Sequence, residues 1–269
     1  MEGESVKLEV NNLEQGYGST IILRDVSFSA ESGEIVTVLG PNGSGKSTLI
    51  KTICRIMQPR AGSINIDGID AFSISGNDYA KLISYVPQNP EFIGYASVYD
   101  SVLIGRRPYV KWDYSKTDID KAAEAMTFMK VDDLYDRQVS ELSGGQRQRV
   151  AIARSLAQDP GIYVFDEPTS ALDLRNQLDT LKIMRSIIKE RGTCMIIALH
   201  DLNLALRYSD KILVISDGTV YGFGTPDEVI TERMIKHVYG VESEIVDSPR
   251  GRYVHAFDSE IDSLISGKE

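Results

Sequence analysis

The most constraining stretch of this chain is the run Gly40-Pro41-Asn42-Gly43-Ser44-Gly45-Lys46-Ser47-Thr48, which satisfies the pattern G-x-x-x-x-G-K-[ST]. Such a run works only between a strand that ends beneath it and a helix that starts from it. Its successive backbone N–H groups curl around a phosphate, and the helix N-terminus adds the positive end of its dipole. Both flanks are present: Ile35–Leu39 is an unbroken apolar run, and Leu49, Ile50, Ile53, Ile56 and Met57 recur at helical spacing and stop before Pro59. The run predicts a strand–loop–helix unit, with Lys46 as a point charge for phosphates and Ser47 as a hydroxyl for Mg²⁺.

Three further apolar runs have strand length, Ile83–Val86, Ile162–Phe165 and Cys194–Leu199, and each stops abruptly on polar chemistry at Gln88, Asp166–Glu167 and His200. Ligands of open parallel sheets collect beyond the carboxyl ends of the strands, so these strand ends predict one shared site. There Asp166 holds magnesium through water, and Glu167 orients or deprotonates an attacking water as general base. Gln88 reaches the metal or the water through its amide, and His200 meets the γ-phosphate. Taken singly, His200 is better read as a structural histidine and Gln88 as a loop residue; it is the acidic pair together with the phosphate loop that points to hydrolysis. A second phosphate-competent helix end stands at Leu142-Ser143-Gly144-Gly145-Gln146. Ser143 is a good N-cap, and the helix it starts carries Val150, Ala153, Leu156 and Ala157 and stops at Asp159-Pro160.

The rest of the chain frames this site. Apolar residues are 42% and charged residues 25% of 269, enough for a sizeable core. No apolar run approaches the ~20 residues of a membrane-spanning helix. The N-terminus MEGESVKLEV shows no export signal, and Cys54 and Cys194 read as buried free thiols in a reducing cytoplasm. A formal charge of −10 argues against a nucleic-acid role, and a place at a membrane would need a protein tether. Residues 1–30 read as β-structure, 89–135 as mainly helical with Lys121–Met129 clearest, and 241–269 as a mostly irregular or β extension. Thr225-Pro226-Asp227-Glu228 opens a helix expected to run to Gly240.

The phosphate loop, Gln88, the LSGGQ run before Asp166, Ser170-Ala171-Leu172-Asp173 and His200 together resemble the ABC ATPases over essentially residues 6–240. The resemblance implies an α/β P-loop NTPase core with a mostly parallel sheet, a flanking antiparallel β-subdomain and a helical subdomain inserted at about 89–158. It implies ATP and Mg²⁺ as ligands, Tyr17 as the aromatic that stacks on adenine, and a head-to-tail dimer. In that dimer Ser143–Gln146 of one copy closes over ATP on the Gly40–Thr48 loop of the other, and Asp173 communicates across the interface. One cassette without a fused membrane span resembles an importer's separate ATPase, working at the inner face of the membrane with permease subunits and, indirectly, a binding protein. Ser97–Val102 and Gly105-Arg106-Arg107-Pro108-Tyr109 are similar to members serving iron–siderophore, haem and cobalamin uptake, although Tyr109 stands where those relatives often carry histidine. Molybdate or tungstate uptake, a non-transport ABC ATPase and a P-loop nucleotide kinase are the alternatives, LSGGQ counting against the last.

Overall fold

The structure, a computed structural model, describes residues 6–257. Its strands are β1 (Lys7–Tyr17), β2 (Thr20–Glu31), β3 (Ile35–Leu39), β4 (Ala61–Ile66), β5 (Ile69–Asp70), β6 (Ile83–Val86), β7 (Ile162–Asp166), β8 (Cys194–Ala198), β9 (Lys211–Ser216), β10 (Thr219–Gly224), β11 (Glu242–Ser248) and β12 (Gly251–Phe257). Its α-helices are α1 (Lys46–Ile53), α2 (Gly76–Leu82), α3 (Val98–Leu103), α4 (Lys116–Phe128), α5 (Gly144–Gln158), α6 (Leu174–Arg191), α7 (Leu202–Tyr208), α8 (Pro226–Val229) and α9 (Glu232–Tyr239).

The four apolar runs form four adjacent strands of a six-stranded sheet of order β10-β9-β3-β8-β7-β6, parallel except for β10. These strands are buried on both faces, and their alternation feeds two cores. Leu39, Phe165, Ile197 and Val214 pack among the helices on one side, with residues of α3, α4, α5 and α6. Val38, Val164, Ile196 and Leu213 face the other way, toward α1 and the antiparallel sheet β2-β1-β4-β5. The helices between β6 and β7 share the first of these cores: Val98, Met126 and Val150 belong to the same apolar cluster as the sheet residues.

Two helices depart from the periodicity. The helix after the phosphate loop ends at Ile53, four residues short of Met57, because Arg55 takes the left-handed conformation at φ +57°. Tertiary contacts fix that turn. The Arg55 guanidinium lies 4.7 Å from the Tyr79 ring centre and donates to the Ile74 carbonyl at 2.8 Å, while the Tyr79 hydroxyl donates to the Ile53 carbonyl. Ile56 is left exposed. The helix expected over residues 226–239 is two helices, because Ile230 is extended and Thr231 starts a new N-cap that accepts from the Met234 N–H at 3.1 Å. The apolar residues read onto one face, Val229, Ile230, Met234, Ile235 and Val238, are all buried across the break. The C-terminal extension is β-structure over Glu242–Phe257, where β11 and β12 form a hairpin; residues 258–269 lie outside the described range.

Candidate functional site

Sheet register decides where the polar strand ends fall. Ala198 of β8 is partnered by Val38 of β3 on one side and Asp166 of β7 on the other. Gly40, Glu167 and His200 therefore emerge at the same level at the carboxyl edge of the sheet. The turn after β3 depends on two glycines. A Cβ at Gly40 would stand 2.2 Å from the Ile215 carbonyl oxygen, and one at Gly45, which sits at φ +110°, would stand 2.5 Å from Leu23 Cδ2. Only glycine lets the loop pass between β9 and β2 and turn into α1.

Lys46 folds back over the loop it follows. Its ammonium donates to the Gly40 carbonyl at 2.8 Å and the Pro41 carbonyl at 3.1 Å. Burial pulls this ammonium below the ordinary lysine range, against the opposing pull of Glu167 and Asp166. Ser44 Oγ is buried within the loop and has no hydrogen-bond partner there. A buried, unsatisfied hydroxyl beside open backbone N–H groups suits an anionic ligand.

At the end of β7, Ser47 Oγ donates to Asp166 Oδ1 at 3.3 Å, so a hydroxyl and a carboxylate lie within reach of one small cation. Burial raises the Asp166 carboxyl above the ordinary carboxylate range; Ser47 opposes the rise, and the neighbouring Glu167 charge adds to it. Glu167, also buried, sits at φ +52° and is held on both carboxylate oxygens. Gln88 Nε2 donates to Oε2 at 2.6 Å, and His200 Nε2 contacts Oε1. Hydroxyl, amide and carboxylate oxygens are the hard donors that Mg²⁺ takes, so Ser47, Gln88 and Asp166 fit that ion.

Tyr17, Asn42, Gly43, Gly45, Lys46, Ser47, Thr48, Gln88, Glu167 and His200 line one cleft of about 440 Å³. Tyr17 stands at it half exposed. Ile22 of β2 lines the cleft as well, a residue that its strand pattern gave no reason to single out. Pro41 shapes the loop through its carbonyl, which also accepts from the Ser44 N–H at 3.2 Å.

Ser143, Gly144, Gly145 and Gln146 do not line this cleft. They form the start of α5, where Gln146 N–H donates to Ser143 Oγ at 3.3 Å and Ser143 N–H donates to Gln146 Oε1 at 2.9 Å, a reciprocal capping box. A Cβ at Gly144 would meet open space, whereas Gly145 lies against Leu172. Asp173 is the N-cap of α6 and accepts from Asn176 N–H at 2.8 Å.

The GRRPY run has an architectural explanation. It is a 3-10 helix, Ile104–Tyr109, pressed so closely on α5 that a Cβ at Gly105 would stand 2.2 Å from the Arg154 carbonyl oxygen. Buried Arg106 donates to Asp118 at 2.9 Å and to the Ala157 carbonyl at 2.9 Å, and its guanidinium lies 4.0 Å from the Tyr109 ring centre.

A strand-end phosphate loop, an acidic pair and a detached LSGGQ helix are the parts of one kind of ATPase, and comparison with known proteins agrees. The family model described as ABC transporter matches residues 23–170. This chain belongs to the ABC transporter family. It is an ATPase of that family, and the sheet order above is the cassette fold. Among its relatives, an uncharacterized ABC transporter ATP-binding protein of Methanocaldococcus jannaschii is 44% identical over 238 residues, spanning 88% of this chain and 93% of that one. The iron(3+)-hydroxamate import ATP-binding protein FhuC of Bacillus subtilis is 37% identical over 257 residues, spanning 90% and 91%. A solved inward-facing ABC transporter described as of metal-chelate type superposes with a TM-score of 0.81 at 26% identity, covering 95% of this chain and 99% of its own. No helix among the described residues of this ABC protein is long and apolar enough to cross a membrane.

Proposed function

We propose that this chain is the ATP-hydrolysing subunit of an importer, driving uptake of a metal chelate of the iron–siderophore, haem or cobalamin type through a separate permease. The observation that carries the hydrolytic half is the Glu167 carboxylate. It is fixed between Gln88 and His200, one residue beyond the aspartate that meets Ser47. A carboxylate aimed in this way takes a proton from water positioned beside a terminal phosphate. Gly40–Thr48 holds the phosphates, Lys46 supplies charge to them, and Tyr17 stacks on the adenine. Ser47, Gln88 and Asp166 would hold Mg²⁺, and the ion would neutralise phosphate charge. His200 contacts the γ-phosphate.

The absence of Ser143–Gln146 from the lining of the cleft supports a site shared between two copies, with the signature helix of one closing over the nucleotide of the other. Asp173, at the start of α6, then stands near that interface. The metal-chelate half rests on the named relatives and on the similar transporter of metal-chelate type. In this reading the chain works at the cytoplasmic face of the membrane, held there by its permease and served indirectly by a binding protein.

The test reconstitutes the chain in membrane vesicles with a permease and binding protein of the iron(3+)-hydroxamate type. ATP-dependent uptake of a ferric hydroxamate, abolished by Lys46→Ala, is expected. Uptake of molybdate in place of iron would replace the substrate assignment. Phosphate release that required an acceptor other than water would overturn the ATPase reading.

A further inference from the structure

The helix that follows His200 is fastened to the C-terminal hairpin by one side chain. Helix α7 has only seven residues, and Asp201 caps it by accepting from the Asn203 and Leu204 N–H groups at 2.7 and 3.0 Å. Asn203 faces outward from the sheet core, yet its amide is spent. Its Oδ1 accepts from the Val254 N–H at 2.7 Å, and its Nδ2 donates to the Val254 carbonyl at 3.3 Å.

Hairpin register explains why Val254 has both groups to offer. Ser248 and Gly251 close a two-residue turn, and the ladder steps back through Asp247–Arg252 and Val246–Tyr253 to Ile245–Val254. Antiparallel pairs alternate between hydrogen-bonded and non-hydrogen-bonded, which places Val254 in the second class with its N–H and C=O turned outward. Asn203 mimics a missing neighbouring strand at the one residue where both outward groups meet α7.

Both strands of the hairpin are also tied to the helices before it. Ile245 N–H donates to Glu232 at 3.2 Å, and Arg252 pairs with Asp227 at 2.7 Å. Val254 itself is buried in the same apolar cluster as Leu204, Ala205 and Tyr208 of α7. The Tyr239 hydroxyl, just before the hairpin, is buried without a hydrogen-bond partner among the described residues. Burial pushes this phenol up to about 12. The hairpin thus grips the helix that follows His200.

We infer that Asn203 is a positioning residue: by clasping β12 it sets the place of α7, and through α7 the place of His200 against Glu167. The inference deepens the hydrolytic reading and rests on it for its consequence, though not for its geometry. Only three histidines occur in the chain, His200, His237 and His255, so their imidazole signals are separable by nuclear magnetic resonance and assignable by single substitutions.

In Asn203→Ala the His200 signal should shift and that of His237 should stay, while Arg207→Ala, on the same helix but without a bond to β12, should leave His200 alone. Turnover of ATP should fall about tenfold in Asn203→Ala at unchanged ATP affinity, the expected cost of a small misplacement near the reacting atoms. Asn203→Asp retains the acceptor for the Val254 N–H and should give a smaller loss; it also serves if the alanine variant folds poorly. An unmoved His200 signal, or wild-type turnover in Asn203→Ala, overturns the inference. Should the wild-type protein itself fail to hydrolyse ATP, the functional reading falls, and the His200 signal alone decides the clasp.

Discussion

Replacing Arg106 with methionine tests whether the GRRPY run is architecture or substrate code. The substitution removes three things at once: the ion partner of buried Asp118, the donor to the Ala157 and Gln158 carbonyls, and the cation over Tyr109. Asp118 is 5% exposed and Arg106 4%, so water cannot replace the lost guanidinium without opening the packing. Breaking one side of a buried pair costs about 3–5 kcal/mol. For a chain of this size each kcal/mol lowers the melting temperature by about 2–4 °C, so Arg106→Met should melt roughly 10 °C early. Calorimetry on the purified chain measures this directly. The double variant Arg106→Met with Asp118→Asn should recover much of the loss, because no unpaired charge is then buried. ATP affinity should stay at the wild-type value, since neither residue lines the nucleotide cleft. A melting temperature within about 2 °C of wild type would refute the reasoning, as would a variant that keeps its stability and loses only transport.

Three more outcomes follow from the site. Glu167→Gln keeps the side chain's shape but not its basicity, so ATP binding should persist while phosphate release falls by about 10²–10⁴; near-normal turnover removes Glu167 as the base. Lys46→Ala and Ser143→Arg chains should each be inactive alone and regain activity when mixed, since one composite site in the mixed dimer carries neither lesion; full activity from a demonstrated monomer at high dilution would exclude a shared site. The Asp166 carboxyl is raised by burial, so the folded state holds its proton more tightly than the unfolded chain does. Stability from this group is therefore full below the ordinary carboxylate range and lost as pH rises through the raised value. Asp166→Asn should accordingly melt higher than wild type at neutral pH and no higher in acid, by thermal scans across pH; a lower melting temperature at neutral pH would contradict the assigned cause.

Legibility in the sequence followed the range of the forces involved. The central strands were readable because burial on both faces leaves unbroken apolar runs, and the phosphate loop because its glycines answer to a local backbone demand. The early end of α1 was not readable, since Arg55 is turned by Phe72, Ile74 and Tyr79, residues that meet it only after the chain has folded. The break at Ile230 was hidden for the opposite reason: both helices bury the same side, so the apolar spacing runs across it. The grip of Asn203 on Val254 depends on the register of a hairpin some fifty residues away. Of the candidate site, the strand-end residues and the loop assemble in one chain, while the signature helix stands apart, and no local pattern distinguishes those two cases.

The left-handed backbone at Glu167 carries its own consequence. A side chain other than glycine pays about 1–2 kcal/mol at φ near +52°, and burial makes a charge costly on the carboxylate just before it. If folding were all that counted, glycine at 167 and an uncharged residue at 166 would be the better choices. A screen of this chain for heat resistance alone should therefore enrich substitutions at these two positions, and its hardiest survivors would no longer turn over ATP.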